Sequence, residues 1–200
     1  MRHLDLFSGI GGFALAMDRV WGDVEHTFCE VDPFCQEVLR KHWPSAKIYG
    51  DIKKFRGGGK AVDIVTGGFP CQPFSAAGKR KGTGDDRHLW PEMLRVIRAV
   101  SAEWVIGENV GGLVTWDKGV VLDQIVSDLE ALGYEVCPLV IPACAKDATH
   151  RRDRLWILAH YEGVRRKKDR FTLLNIQRVH QKHQRNGLTS PKSRKKSLNK

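Results

Sequence analysis

Asp63-Ile64-Val65-Thr66-Gly67-Gly68-Phe69-Pro70-Cys71-Gln72-Pro73-Phe74-Ser75 runs from a short buried-strand pattern straight into a cysteine set between two prolines. An apolar run of this length, closed by glycines, suits a strand inside a parallel sheet covered by helices. Open sheets of that kind bind their ligands at the carboxyl ends of the strands. A thiol presented there, in a proline-stiffened loop, is where an α/β enzyme holds a nucleophile.

Working outward, short apolar runs alternate with helical periodicity. Residues 3–7 predict a first strand and residues 11–20 a helix, with Phe13, Leu15, Ala16 and Val20 available to pack. A second strand over 24–30 precedes a helix over 33–42 that takes proline near its start. Residues 46–49 lead into Gly50-Asp51-Ile52 as a third strand end, and 63–67 form the fourth strand. A helix over 89–100 is followed by a strand over 104–107 that ends at Glu108-Asn109-Val110. Residues 117–132 place Val121, Ile125, Leu129 and Leu132 on one helical stripe that stops at Gly133. Two closing strands cover 134–141 and 155–159. The expected fold is α/β, Rossmann-like, a mostly parallel sheet with helices on both faces.

The 200 residues, 42% apolar, suffice for one such domain. Charge divides the chain. Residues 1–160 carry 20 Lys and Arg against 21 Asp and Glu, whereas residues 161–200 carry 13 against 2. The expected organisation is therefore a catalytic and cofactor-binding domain over 1–160 and a basic, largely disordered tail over 161–200. A block of positive charge suits contact with a polyanion, nucleic acid first. Five cysteines without a C-x-x-C pair argue against a disulfide framework or a zinc site. With no signal peptide and no apolar run of membrane-spanning length, the expectation is a cytoplasmic protein without membrane or metal partners.

Four segments carry chemistry. Phe7-Ser8-Gly9-Ile10-Gly11-Gly12 lies between the first strand and its helix, where glycines permit a tight turn and close ligand approach. Glu30 ends the second strand, where a carboxylate can accept from both ribose hydroxyls, and Asp51 ends the third, where an adenine amino group can be met. Gly9-Ile10-Gly11-Gly12-Phe13-Ala14 also satisfies the dinucleotide pattern G-x-G-x-x-A. The turn thus specifies an adenosine-containing cofactor without choosing among them. Cys71 needs help to ionise at neutral pH; Cys29, Cys35, Cys137 and Cys144, in or beside apolar runs, read as buried and inert. The glycine-hinged basic stretch 78–87 suits a lid closing on phosphates or, almost equally on this segment alone, a plain solvated loop. Glu108 stands one strand from Cys71, able to protonate an electrophile attacked by the thiol. In His150-Arg151-Arg152-Asp153-Arg154, Arg152 and Arg154 share one face of an extended segment that suits an anion or a polar substrate edge, although taken alone the segment reads first as a basic surface turn.

Together these segments resemble the DNA cytosine-5 methyltransferases. Phe7-x-Gly9-x-Gly11-Gly12 is similar to the family's first motif, Glu30-Val31-Asp32 to its second and Gly50-Asp51-Ile52 to its third. Gly68-Phe69-Pro70-Cys71-Gln72-Pro73-Phe74-Ser75 with Gly78 matches the catalytic motif, Glu108-Asn109-Val110 the acid motif, and Arg152-Asp153-Arg154 the arginine motif. His150 stands where many members have glutamine, and Thr149 where they often have proline.

The resemblance implies the S-adenosylmethionine-dependent methyltransferase fold and that cofactor, held by Phe7, Gly9, Ile10, Gly11, Gly12, Glu30, Val31, Asp51, Ile52 and Pro70. It implies that the Cys71 thiolate adds to cytosine C6 while protonated Glu108 engages N3 and the exocyclic amine. Arg152 and Arg154 orient base and nucleophile, and C5 of a base flipped out of double-stranded DNA takes the methyl group. The family's target-recognition region and last two motifs are not found, so the chain is expected to be a catalytic portion: a truncated copy, or a subunit completed by a second chain that supplies target recognition. The same chemistry on transfer RNA stays open, as does an inactive DNA-binding remnant. A dinucleotide oxidoreductase leaves Pro-Cys-Gln, Glu-Asn-Val and the arginine pair without roles.

Overall fold

A computed structural model of the chain describes residues 1–57, 61–70 and 89–161. These form β1 (Arg2–Leu6), α1 (Gly12–Trp21), β2 (Glu25–Cys29), α2 (Pro33–His42), β3 (Lys47–Tyr49), β4 (Ile64–Gly67), α3 (Trp90–Val100), β5 (Trp104–Val110), α4 (Val120–Glu130), β6 (Tyr134–Pro142) and β7 (Asp153–Tyr161). The strands make a seven-stranded sheet in the order β3-β2-β1-β4-β5-β7-β6. Pairings from β3 to β5 are parallel, and β7 runs antiparallel to both β5 and β6. This is the Rossmann-like α/β architecture expected, with the order reversing between β1 and β4. That switch point is where such sheets open a crevice.

Two apolar layers sandwich the sheet. One face buries Leu4, Leu6, Val65 and Val105 with Met93, Val96 and Ile97 of α3 and Ile125 and Leu129 of α4. The other buries Phe28 with Ala14 of α1 and Leu39 of α2. On this second face, α1 and α2 cover the β1–β3 side, while Trp104, Ile106 and Glu108 of β5 and Arg154, Trp156 and Leu158 of β7 stay half-buried. The candidate acid therefore lies at the margin of the packed layer rather than inside it.

Several elements begin where local chemistry dictates. Asp32 caps α2, its Oδ1 accepting from the backbone of Phe34 (2.8 Å) and Cys35 (3.2 Å), with Pro33 at the first helical position. α4 starts at Val120 rather than 117, because Asp117 and Lys118 adopt left-handed backbone (φ 45° and 58°) that no right-handed helix contains.

Other expectations are corrected. α1 turns Ala14 and Met17 inward, leaving Leu15 and Val20 exposed. The stripe at i and i+3 that meets the sheet is set by the register of the glycine turn, not by the count of apolar residues. Cys137 and Cys144 are exposed rather than buried. Cys137 belongs to β6, the sheet's edge strand, and Cys144 follows it. Cys29 is buried as expected, and burial, then the Glu30 and Asp51 carboxylates, push its thiol up to about 12. Among the described residues, no helix is long and apolar enough to cross a membrane, and no cluster of His, Cys, Asp or Glu is suited to a metal.

Candidate active site

The turn after β1 is built around Gly11. Its φ of +89° lies in the left-handed region, and a Cβ there would come within 2.6 Å of the Trp43 ring and 3.0 Å of Leu39. Glycine is required twice over, by backbone conformation and by the close approach of an indole. Gly9 (φ +52°) and Gly12 would have nothing within 4 Å of an added Cβ. Space above the turn is open there.

Glu30, just beyond β2, reaches back to this turn. Its Oε2 accepts from the Gly9 backbone N–H at 2.7 Å and its Oε1 from that of Asp32 at 2.8 Å. Gln36 fixes it from behind, donating to the Glu30 carbonyl at 2.6 Å. Each carboxylate oxygen keeps acceptor capacity for a further donor. Ile10, Val31 and Phe34 stand exposed nearby in the chain, at 61%, 71% and 67%. Open glycines, an oriented carboxylate and apolar side chains facing water suit the flat base and the diol of an adenosine group.

Asp51 lies in the turn after β3, not at a strand end, and its Oδ1 accepts from the Lys53 backbone at 2.9 Å. Arg95 of α3 pins the rest of that turn, donating to the carbonyls of Ile52 (2.6 Å) and Phe55 (2.8 Å). Ile52 itself is buried against the core. Nothing in the sequence pattern of α3 marks Arg95 for this task.

The second half of the site gathers at the ends of β4 and β5. Parallel pairing ends at Gly67 opposite Gly107, and β5 continues to Val110 through its pairing with β7. Glu108 is thus inside a strand, and its side chain is placed by register. A Cβ on Gly68 would lie 3.3 Å from Glu108 Oε2, so the glycine makes room for the acid. Asn109, buried, donates from Nδ2 to the Phe69 carbonyl at 3.0 Å, while its Oδ1 accepts from the Val110 N–H at 2.9 Å. The Leu89 N–H donates to the Pro70 carbonyl at 3.3 Å, so the chain leaves and rejoins the described structure at one place. Cys71 and the basic stretch 78–87 lie outside the described residues, as does the tail from residue 162 onward.

Arg154 and Arg152 part company. Arg154 Nε lies 2.8 Å from Glu108 Oε1. Arg152 precedes β7 with φ +37°, so it does not alternate with Arg154 along one extended face as expected. The Asp153 carboxylate pairs instead with Arg151, at 3.1 Å. The turn is set by Ala143, whose N–H donates to the carbonyls of Arg151 and Arg152. Asn109 and Gly68 belong to motifs legible in the sequence, but their tasks, anchoring Phe69 and clearing space for Glu108, depend on contacts across strands.

Comparisons with known proteins agree on one family. The profile of the C-5 cytosine-specific DNA methylases matches residues 1–200. The type II methyltransferase M.HgiCII of Herpetosiphon aurantiacus is 35% identical over 161 residues, covering 78% of this chain and 36% of that protein. M.BanI of Aneurinibacillus aneurinilyticus is 37% identical over 182 residues, covering 86% and 40%. The chain therefore spans less than half the length of these relatives. Among solved structures, the Dnmt2 methyltransferase of S. pombe superposes with a TM-score of 0.65 over 89% of this chain and 55% of its own, at 21% identity, a likeness of fold. On its sequence match, the chain belongs to the C-5 cytosine-specific DNA methylase family.

Proposed function

We propose that residues 1–160 form a cofactor-binding and catalytic unit that transfers a methyl group to C5 of cytosine in double-stranded DNA, with residues 161–200 as a basic arm. The observation that carries this reading is the seat of Glu108. Its carboxylate is held by Arg154 on one oxygen and lies against Gly68 with the other. Gly68 is three residues before Cys71.

The residues present fit S-adenosylmethionine. Phe7, Gly9, Ile10, Gly11 and Gly12 would line one side, Glu30 would accept from the ribose hydroxyls, and Val31, Asp51, Ile52 and Pro70 would border the base and the methyl-bearing end. When bound, the cofactor supplies an electrophilic methyl group. Cytosine C5 is a weak nucleophile, and the chain's own side chains correct that. The Cys71 thiolate adds to C6, forming an S–C6 bond, and the ring electrons move toward C5. Glu108, protonated on Oε2, donates to N3 and draws charge from the ring. Arg154 keeps Oε1 occupied, so the carboxyl presents one defined edge to the base. Arg152 orients the base from the turn before β7. After C5 has accepted the methyl group, its proton passes to water, the C5–H electron pair re-forms the C5–C6 double bond, and the Cys71 sulfur leaves as thiolate. Cytosine inside a stacked duplex is out of reach, so the base must be flipped out.

A duplex containing 5-fluorocytosine tests this directly, because fluorine cannot leave as a proton. A covalent adduct is expected with the wild-type chain and cofactor. An adduct that persists in Cys71→Ala would overturn the assignment of the nucleophile. Parallel assays on DNA and transfer RNA with a labelled methyl donor separate the two polymers, and adding a separately expressed recognition chain tests whether a second subunit supplies target choice.

A further inference from the structure

Beneath the candidate site, on the sheet face covered by α1 and α2, five polar side chains join in one run. Asp5 Oδ1 lies 2.6 Å from Thr66 Oγ1, which lies 2.7 Å from His3 Nε2. His3 Nδ1 lies 2.9 Å from His26 Nδ1, and His26 Nε2 lies 2.8 Å from Asp18 Oδ1. Asp18 Oδ2 accepts from the Trp43 indole N–H at 2.8 Å. Asp5, Thr66, His3 and His26 are buried, and the run meets water at Asp18, whose side chain is 35% exposed. Asp5 Oδ2 has no partner among the described residues.

With Asp18 ionised and the buried His3 ring uncharged, two proton arrangements give every link one hydrogen. In the first, Asp5 is a carboxylate accepting from Thr66. Thr66 then accepts from His3 Nε2–H, the bare His3 Nδ1 accepts from His26 Nδ1–H, and His26 is an imidazolium facing Asp18. In the second, every bond is reversed as far as His26. The Asp5 hydroxyl donates to Thr66, Thr66 to His3 Nε2, His3 Nδ1–H to His26 Nδ1, and neutral His26 donates from Nε2–H to Asp18. The two hold the same number of protons and differ in direction. The first buries a full charge with one oxygen unpartnered, whereas the second leaves an uncharged carbonyl oxygen there, which costs much less.

We propose that Asp5 is a neutral carboxylic acid that heads a one-way chain of donors through Thr66, His3 and His26 to Asp18, and that it is thereby a positioning residue for the candidate site. This run of donors rests on no assumption about methyl transfer. It links β4, two residues before Gly68, to β1, β2 and α1. The Asp5 carbonyl accepts from Ser8 Oγ of the glycine turn at 2.7 Å, and Trp43 sits under Gly11. The titratable groups around Asp5 are His3 of its own strand, His26 of β2, Glu30 beyond β2 and Asp18 of α1; β4 contributes Thr66, which does not ionise. Burial, and the Glu30 carboxylate against the Thr66 bond, push Asp5 up to about 8. Burial, then His26, hold His3 down to about 3. Burial opposes ionisation of Asp18, but its bonds from His26 and Trp43 hold it below the ordinary carboxylate range.

The test is the imidazole tautomers, read by nitrogen NMR on the full chain at neutral pH. His3 protonated on Nδ1 alone and His26 on Nε2 alone are expected, with a carboxylic-acid infrared band that Asp5→Asn removes. The Asn amide can donate to Thr66 in the same direction, so this variant should keep both tautomers, whereas Asp5→Leu, which cannot donate, should lose them and bind S-adenosylhomocysteine at least tenfold more weakly. An imidazolium at His26 with His3 protonated on Nε2 would overturn the proposal in the wild-type protein, whatever the variant's stability and whether or not the chain methylates.

Discussion

The guanidinium of Arg154 grips the carboxylate of Glu108, with Nε and Oε1 2.8 Å apart and the two side chains 23% and 28% exposed. The partners come from β7 and β5, which run antiparallel, so the pair exists through the one reversed seam next to the parallel strands. A charge-assisted bond at this depth fixes the acid's orientation more firmly than an exposed pair could.

Arg154→Ala should therefore leave the fold intact and misplace Glu108. Loss of a hydrogen bond to a charged group costs about 1.5–3 kcal/mol, so the rate of adduct formation should fall roughly ten- to hundredfold. Arg154→Lys restores charge without the planar fork and should recover only part of that loss. Single-turnover trapping on 5-fluorocytosine DNA measures it, and an unchanged rate would remove Arg154 from the site.

The glycines separate fold from function. Gly11→Ala puts a Cβ into the Trp43 ring at a φ of +89°, which should lower stability by about 1–3 kcal/mol. Gly12→Ala meets nothing within 4 Å and should leave the denaturation midpoint unchanged while weakening S-adenosylhomocysteine binding. Gly68→Ala crowds Glu108 Oε2 at 3.3 Å, and should slow adduct formation without loss of cofactor affinity. Urea titration and calorimetry on the three variants distinguish these outcomes.

Stability should depend on pH in a defined pattern. Asp5 is raised from 3.8 to about 8, so its contribution is fully present below pH 3.8 and is lost as pH rises toward 8. His3 is lowered from 6.5 to about 3, so its contribution is present above pH 6.5 and is lost as pH falls toward 3. Between 3.8 and 6.5 the two slopes oppose each other. Above 6.5 Asp5 acts without opposition from His3, and the urea midpoint should fall from pH 6.5 to 8. Asp5→Asn should flatten that limb, and a limb unchanged in the variant would show that Asp5 does not titrate there.

Removing residues 162–200, beyond the end of β7, strips 13 Lys and Arg and 2 Asp and Glu. DNA affinity should drop, and the plot of log affinity against log salt should become shallower. Equal slopes for the full and shortened chains would show that the arm makes no phosphate contacts.

The linear order of residues was enough to reveal the alternation of strands and helices, the glycine turn and the family. Those depend on short-range rules: apolar runs of strand length, a proline at a helix start, glycine where φ turns positive. The residue types of the site were equally legible, since Glu30, Glu108 and Arg154 stand in recognisable local patterns. Their partners were not. Glu30 meeting the Gly9 N–H, Gly68 clearing space for Glu108, and Arg95 pinning Ile52 and Phe55 all join residues that adjoin through pairing register or helix packing. The same holds for the faces that composition misplaces. Leu15 and Val20 look inward by composition but point out, because the turn at Gly11 fixes the rotation of α1. Arg152 looks like a strand partner of Arg154 but sits in left-handed backbone, because the Ala143 amide holds the carbonyls of Arg151 and Arg152. The buried run from Asp5 to Asp18 is the clearest case: five ordinary side chains, scattered over residues 3 to 66, become one hydrogen-bonded unit because a parallel sheet sets His3 opposite His26 and Asp5 opposite Thr66.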